Sequence, residues 1–188
     1  GPAFLDAGIG WGGSCFPKDV KALAHMAAVH GAHPQLLKAV MNINDNQRLR
    51  AFEKLDEVLE GVSGKTIGVL GLSFKPNTDD IRYSPSLDII RMLIKAGAKV
   101  QGFDPQAMEA SQAEIPELIP CQNPYDVAKD ADALFLATMW NEFKSLDFQR
   151  IKDNMRGNVI LDGRNLWYRK DLHIFGFNYL GMRVPNSS

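Results

Sequence analysis

A buried strand is predicted at Lys65-Thr66-Ile67-Gly68-Val69-Leu70-Gly71-Leu72, a nearly continuous apolar run near the middle of the chain. Continuous apolar runs are typical of strands that are covered on both faces, as in parallel sheets. Downstream, Ser84-Pro85-Ser86 predicts the start of a helix with proline at its first position, and Gly97 predicts its end. A strand followed by a helix is the repeating unit of an α/β fold.

The same alternation of strand and helix continues towards the end of the chain. Further strands are predicted over residues 99–103, 132–138, 158–161 and 178–182. Helical segments are predicted between them, over residues 106–113, 124–129 and 148–154. This order predicts an α/β protein with a doubly wound, mostly parallel, Rossmann-like sheet, whose sites lie at the carboxyl ends of the strands.

Helices are predicted before the sheet, over residues 19–60. Asp19 is predicted to cap the first of them. The second is long, covers residues 34–60 and carries apolar residues on two faces, which is typical of a spine or of a dimer surface. The alternative is an ordinary core helix of a single domain. We expect two parts, residues 1–60 and residues 61–188.

Composition excludes several classes of protein. The 188 residues carry a formal net charge of −1, so no basic excess favours nucleic acid or an anionic membrane as the partner. The chain has no run of apolar residues long enough for a transmembrane helix, and its first residues do not resemble a signal peptide. With only two cysteines, a reduced cytoplasmic setting is predicted. The histidines and cysteines form no metal-binding motif, so no metal is expected.

The loop after the first strand lacks the dinucleotide fingerprint. Gly71-Leu72-Ser73-Phe74-Lys75-Pro76 is not G-x-G-x-x-G, and a long loop precedes the helix start. The loop instead supplies the cations Lys75 and Arg82, which suit an anionic ligand; a solvated charged loop is the alternative. Asp104 ends the next strand and is interpreted as a turn or cap residue, with a ribose contact as the alternative.

A glycine-rich segment opens the chain and leads to Cys15. Gly10, Gly12 and Gly13 allow a ligand to approach the main chain closely. The predicted helix start after Cys15 favours the thiolate form, and Lys18 adds positive charge there. A reachable thiolate is a candidate for covalent catalysis, whereas a free buried cysteine is the alternative.

Four segments of the sequence resemble one family. They are Phe4-Leu5-Asp6-Ala7-Gly8-Ile9-Gly10-Trp11-Gly12-Gly13-Ser14-Cys15-Phe16-Pro17-Lys18-Asp19, then Gly71-Leu72-Ser73-Phe74-Lys75 with Asp79-Asp80-Ile81-Arg82, then Trp140-Asn141-Glu142-Phe143, and then Asp162-Gly163-Arg164. In this order they resemble nucleotide-sugar 6-dehydrogenases of the UDP-glucose/GDP-mannose dehydrogenase family. The resemblance covers essentially the whole chain, and Gly-Gly-Ser-Cys-Phe-Pro-Lys-Asp is its most specific part.

The resemblance implies a four-electron, NAD-dependent oxidation of the sugar C6 alcohol to a carboxylate. It implies that Cys15 is the nucleophile and that Asp19 assists proton transfer or places the hydrolytic water. It implies that Lys18 and Arg82 lie near NAD. The residues implied to bind the nucleotide-sugar are Phe4, Leu5, Asp6, Ala7, Gly8, Gly12, Phe74, Lys75 and Arg164. The resemblance also implies a homodimer paired through the helix at residues 34–60.

The sequence departs from the family pattern upstream, because the family's NAD domain and several of its catalytic residues precede the matched segment. We therefore expect a fragment that is inactive alone. Ser14-Cys15-Phe16 favours the UDP-glucose branch over the GDP-mannose branch, which more often has leucine after the cysteine. Dehydrogenases of N-acetylated UDP-hexoses usually carry His-Cys there and fit less well. A non-catalytic UDP-binding or dimerisation module is the alternative from another functional class.

Overall fold

A computed structural model describes residues 7–182. Helix α1 covers Phe16–Val29 and helix α2 covers Gln35–Val58. The strands and helices that follow are β1 (Thr66–Leu70), α3 (Pro85–Lys95), β2 (Lys99–Phe103), α4 (Met108–Glu114), β3 (Ile119–Pro120), β4 (Ala133–Leu136), α5 (Phe148–Asn154), β5 (Val159–Asp162) and β6 (Asn178–Gly181). Short 3₁₀ helices cover Asp126–Ala128, Asn141–Ser145 and Leu172–Phe175.

The six strands form one sheet in the order β3-β2-β1-β4-β5-β6, and all of its pairings are parallel. This confirms the predicted α/β class and its doubly wound, Rossmann-like sheet. The strand order reverses between β1 and β4, where a crevice opens at the carboxyl ends of the strands.

Alternate residues of each central strand enter two cores. In β4, Phe135 faces the core that contains Ala51 and Leu55 of α2, whereas Leu134 and Leu136 face the core that contains Phe148 of α5. Helices therefore cover both faces of the sheet, which explains the continuous apolar runs of its strands. The division into parts 1–60 and 61–188 remains a prediction, although the second half of α2 shares a core with the sheet.

One predicted helix start is wrong. Asp19 does not cap α1, because the helix already begins at Phe16 and Cys15 is its N-cap residue. Pro17 lies in the first turn, where proline's fixed backbone angle suits a helix and its missing N–H costs no hydrogen bond. Asp19 consequently lies within the first turn, and its main-chain N–H donates to the Cys15 carbonyl over 2.9 Å.

Candidate active-site cleft

A cleft of about 540 Å³ opens where the strand order reverses. Its walls come from the glycine-rich segment, from α2, and from the loops that follow β1, β4 and β5. Its lining residues are Ala7, Gly8, Gly10, Trp11, Gly12, Val40, Ile43, Asn44, Gln47, Phe74, Lys75, Pro76, Thr138, Met139 and Arg164. The cleft thus brings together all six of the sequence-predicted substrate residues that lie within 7–182.

The glycine-rich segment packs against the loop after β1 so closely that side chains are excluded. A Cβ on Gly12 would lie 2.1 Å from the Tyr83 carbonyl oxygen. Gly13 has a φ of +88°, and a Cβ there would lie 2.7 Å from the Phe74 ring. The Gly13 N–H also donates to the Arg82 carbonyl over 2.9 Å. Glycine is required here because two main-chain segments touch, and the contact joins the Cys15 segment to the loop that carries Lys75.

Arg164 follows β5 and fixes one wall of the cleft. Its Nε donates to the Ala137 carbonyl over 2.7 Å, and its Nη1 donates to the Gly10 carbonyl over 3.2 Å. Burial lowers the pKa of Arg164 to about 10, and the nearby Asp162 carboxylate partly opposes that shift. The guanidinium therefore remains charged at neutral pH. A desolvated cation that lines a cleft is suited to an anionic ligand.

Lys75 supplies a second cation to the cleft and is exposed. Its Nζ lies 5.4 Å from the centroid of the Phe74 ring, which is half-buried. Phe74 thus offers an apolar surface beside a positive charge, a combination that suits a planar base joined to phosphates.

Cys15 lies at the N-terminus of α1 and is exposed. Its Sγ lies 3.7 Å from the Ser14 hydroxyl oxygen. The exposed thiol excludes the alternative of a buried filler cysteine at this position. Cys15 does not line the cleft. Gly12, three residues before it, does. Asp19 is four residues further along α1, so the two side chains lie on one helix face.

Two further predicted cations, Lys18 and Arg82, flank this helix start. Lys18 Nζ lies 3.7 Å from an Asp19 carboxylate oxygen, with both side chains mostly exposed. Arg82 donates from Nε and Nη2 to the Asp80 carboxylate over 2.9 and 2.7 Å. That hydrogen bonding holds the pKa of Asp80 below its usual value and raises the pKa of Arg82. The Arg82 carbonyl accepts from the Gly13 N–H, so Arg82 lies beside the segment that carries Cys15.

Asp104 is buried and organises the loop before Phe74. Its Oδ2 accepts from the N–H groups of Leu72 and Ser73 over 2.7 and 3.0 Å, and from the Trp140 indole over 3.1 Å. Its Oδ1 accepts from two main-chain N–H groups just before α4, those of Gln106 and Ala107. Of the predicted turn or cap role, these contacts favour the turn over a ribose contact, whereas the N-cap residue of α4 is Ala107.

Not every predicted site residue, and not every residue that lines the cleft, was matched between the sequence and the structure. Phe4, Leu5 and Asp6, which the resemblance placed in the substrate pocket, lie outside the described residues. Sequence reasoning missed the α2 wall, namely Val40, Ile43, Asn44 and Gln47. The sequence does contain one indication of this wall. Asn44 is a polar residue at a helical interval from Val40 and Ala51, on a helix face where an apolar residue is expected.

Among residues 7–182, no group of three or more His, Cys, Asp or Glu side chains is arranged to hold a metal ion. No helix there has the length and apolar character needed to cross a membrane.

The fold and the cleft define a doubly wound α/β protein of the nucleotide-binding type. The UDP binding domain of the UDP-glucose/GDP-mannose dehydrogenase family matches residues 68–169, and the central domain of that family matches residues 1–46. The chain belongs to this family.

Named relatives agree with this assignment. The chain is 41% identical to a UDP-glucose 6-dehydrogenase of Rhizobium meliloti over 99% of its own length and 43% of the relative's. It is 42% identical to the UDP-glucose 6-dehydrogenase TuaD of Bacillus subtilis, over 98% of the chain and 40% of that protein. The chain therefore spans less than half the length of these relatives.

Solved structures show the same fold. A UDP-glucose dehydrogenase from Pyrobaculum islandicum superposes with a TM-score of 0.85 at 34% identity, over 97% of this chain and 40% of that one. A GDP-mannose dehydrogenase from Pseudomonas aeruginosa superposes with a TM-score of 0.76 at 25% identity, over 97% of this chain and 42% of that one.

Proposed function

We propose that this chain is the nucleotide-sugar-binding and nucleophile-bearing part of a UDP-glucose 6-dehydrogenase, which oxidises UDP-glucose to UDP-glucuronate with NAD. The single observation that carries the proposal is the cleft, whose lining combines the glycine main chain at Gly8 and Gly12 with the cations Lys75 and Arg164. Family membership and the relatives named above support the same reaction. The proposed setting is the cytoplasm.

The cleft binds the nucleotide-sugar in this proposal. Phe74 presents an apolar ring to the base, and Lys75 and Arg164 neutralise the diphosphate through charge-assisted hydrogen bonds. Gly8 and Gly12 present main chain to the ligand, where a side chain would collide with it or with the cleft walls. Residues 4–6 are proposed to extend this pocket.

Cys15 acts as the nucleophile after the C6 alcohol has become an aldehyde. Its thiolate adds to the aldehyde carbon, which forms a thiohemiacetal whose C–H bond then supplies a second hydride and leaves a thioester. Water hydrolyses the thioester, which releases the carboxylate and returns the thiol. Asp19, on the same helix face, places that water or takes its proton. NAD, when bound, accepts one hydride in each of the two oxidation steps.

The described residues offer NAD only a partial site. Lys18 and Arg82 are exposed cations beside Cys15, and we propose that they contact the cofactor. The loop after β1, however, has side chains where a dinucleotide fold has its glycine-lined phosphate turn. Residues 7–182 therefore fit the edge of an NAD site and not the whole of it.

Titration calorimetry of the chain with UDP tests the binding role. We expect Lys75→Ala to weaken UDP binding by about tenfold, because a charge-assisted hydrogen bond is worth about 1.5–3 kcal/mol before solvent screening reduces it. Lys95→Ala is the matched control, since Lys95 is an exposed lysine at the end of α3, outside the cleft. Equal affinities for both variants would refute the binding role of Lys75.

Cys15→Ser in the full-length enzyme tests the covalent role. We expect loss of glucuronate formation, measured by product chromatography, while UDP-glucose affinity stays within a factor of about two. Full glucuronate output from this variant would contradict the covalent step without touching the binding proposal.

The sugar and the class of function each have an alternative. Parallel titrations with UDP-glucose and GDP-mannose separate the two branches; the relatives and Phe16 after Cys15 favour UDP-glucose. For the isolated chain, the partial NAD site favours a non-catalytic UDP-binding or dimerisation module. Binding of UDP-glucose without NADH production when NAD is added would support the module, and NADH production would exclude it.

We also propose a homodimer paired through the helix at residues 34–60. Leu36 and Leu49 of α2 are exposed, at 76% and 46%, and neither lines the cleft. Apolar side chains this exposed on one helix are suited to burial against a second subunit.

A further inference from the structure

The glycine-rich wall of the cleft is held from α2 by side chains that the reaction does not use. Asn44, Gln47 and Arg48 lie three and four residues apart, so they project from one face of the helix. All three contact main-chain atoms between Gly8 and Trp11. This wall is therefore fixed by side-chain contacts in addition to its own main chain.

Asn44 makes two hydrogen bonds to the main chain of Trp11. Its Oδ1 accepts from the Trp11 N–H over 2.7 Å, and its Nδ2 donates to the Trp11 carbonyl over 3.3 Å. The side-chain amide thus pairs with both polar groups of the Trp11 main chain. Asn44 is only 5% exposed, so little of it remains for a ligand to contact although it lies at the cleft wall.

Gly10 adapts the main chain to this contact. It has a φ of +101°, and a Cβ on it would lie 2.7 Å from Asn44 Oδ1. The amide of Asn44 therefore occupies the space that a side chain at position 10 would need. The left-handed backbone and the Asn44 contact are two parts of one local arrangement.

Gln47 and Arg48 extend the contact along the segment. Gln47 Nε2 donates to the Gly8 carbonyl over 2.8 Å, and Arg48 Nη2 donates to the Trp11 carbonyl over 3.2 Å. Arg48 also pairs with Asp88 of α3, so the segment is tied to a helix that packs on the sheet.

We propose that Asn44 is a positioning residue: it fixes the main chain at Gly10 and Trp11 in the shape that the nucleotide-sugar cleft requires, without contacting the ligand. The proposal rests on the proposed UDP-sugar site. Its physical basis is that a ligand bound by main-chain groups needs that main chain held before binding, since ordering it on binding lowers affinity.

Asn44→Ala and Asn44→Ser test the proposal, with UDP as the probe. Serine keeps a polar group but is too short to reach both the N–H and the carbonyl of Trp11. We expect UDP binding weaker by about tenfold for both variants, as lost hydrogen bonds and a looser wall predict. We also expect faster hydrogen exchange of the Trp11 N–H.

Two controls separate positioning from general stability. Asn46→Ala removes the same side chain from an exposed position of α2 and should change neither readout. Leu55→Ala removes a fully buried side chain of α2 away from the cleft; it should lower the unfolding temperature and leave UDP affinity unchanged. All measurements are made well below the lowest unfolding midpoint.

Each outcome decides one claim. Folded Asn44 variants that bind UDP as tightly as the unaltered chain overturn the positioning role. If neither Asn44 variant folds while Leu55→Ala does, Asn44 is a folding residue and the proposal is again overturned. If the unaltered chain does not bind UDP, the proposed function fails; the exchange rate of the Trp11 N–H then decides alone whether Asn44 fixes this segment.

Discussion

Helices α1 and α3 begin alike but are held in different ways. Both have proline in the first turn, yet α3 buries six of its eleven residues and α1 buries three of its fourteen. Leu23, Met26 and Val29 of α1 are each more than half exposed. Helix α3 packs on the sheet, whereas α1 contacts α2 and carries Cys15 at its start. The comparison shows that α3 depends on apolar burial far more than α1 does. The glycine-rich segment just before α1 is held instead by polar contacts from α2.

Truncation of one leucine in each helix tests this comparison with the largest expected effect. Leu93→Ala in α3 should lower the free energy of unfolding by about 3 kcal/mol, because a fully buried side chain is lost and a cavity remains. Leu23→Ala in α1, where the side chain is 54% exposed, should change it by less than about 0.5 kcal/mol. Urea unfolding at low protein concentration measures both. Similar losses of unfolding free energy in the two variants would contradict the comparison, because they would mean that Leu23 contributes as much to stability as the buried Leu93.

Asp104→Asn tests whether polar burial also fixes the scaffold beneath the site. The amide replaces one acceptor oxygen that several N–H groups share, so we expect a loss of about 2 kcal/mol in the free energy of unfolding. UDP affinity should also fall, because the same contacts fix the loop before Phe74. Glu109→Gln, an exposed change in α4, is the control. An unchanged stability would mean that the loop is fixed without Asp104.

Asp132→Asn tests, through pH, the amino ends of the central strands β1 and β4, which are opposite the carboxyl ends where the cleft opens. Hydrogen bonds from Arg156 hold the pKa of Asp132 below its usual value of 3.8, against the effect of burial. A depressed folded-state pKa contributes stability above the unfolded value and loses it as pH falls through the folded value. The advantage of the native chain over the variant should therefore be about 1 kcal/mol near neutral pH and shrink under acid, since the partner Arg156 is largely exposed. A difference that grows on acidification would contradict this sign.

The smallest expected change in stability concerns two exposed apolar side chains of α2, Leu36 and Leu49. Leu36→Ser with Leu49→Ser should leave the unfolding of dilute protein within about 0.5 kcal/mol. If the proposed dimer uses this helix, sedimentation should show that the double variant is monomeric at concentrations where the unaltered chain pairs. Asn42→Ser, an exposed polar position of the same helix, is the control. Pairing that survives the double change would place the dimer surface elsewhere.

Short-range signals account for the elements that the sequence predicted well. Strand β2 and helix α5 occupy the predicted residues 99–103 and 148–154, and Ser84-Pro85 starts α3 as expected. Strand β3 was missed because it has only two residues and no periodic pattern. The start of α1 was misplaced because Asp19 is a good cap type, but Pro17 allows an earlier start.

By itself, the sequence determined the α/β class, the family and the residues of the glycine, cysteine and cation motifs, since those signals lie in local pattern and spacing. Only the tertiary structure decided that α2 supplies a wall of the cleft, and that Asn44 binds the Trp11 main chain across a separation of 33 residues. The reason is physical: a helix face shows its apolar period along the chain, but which distant main chain it meets depends on how the sheet and its helices pack.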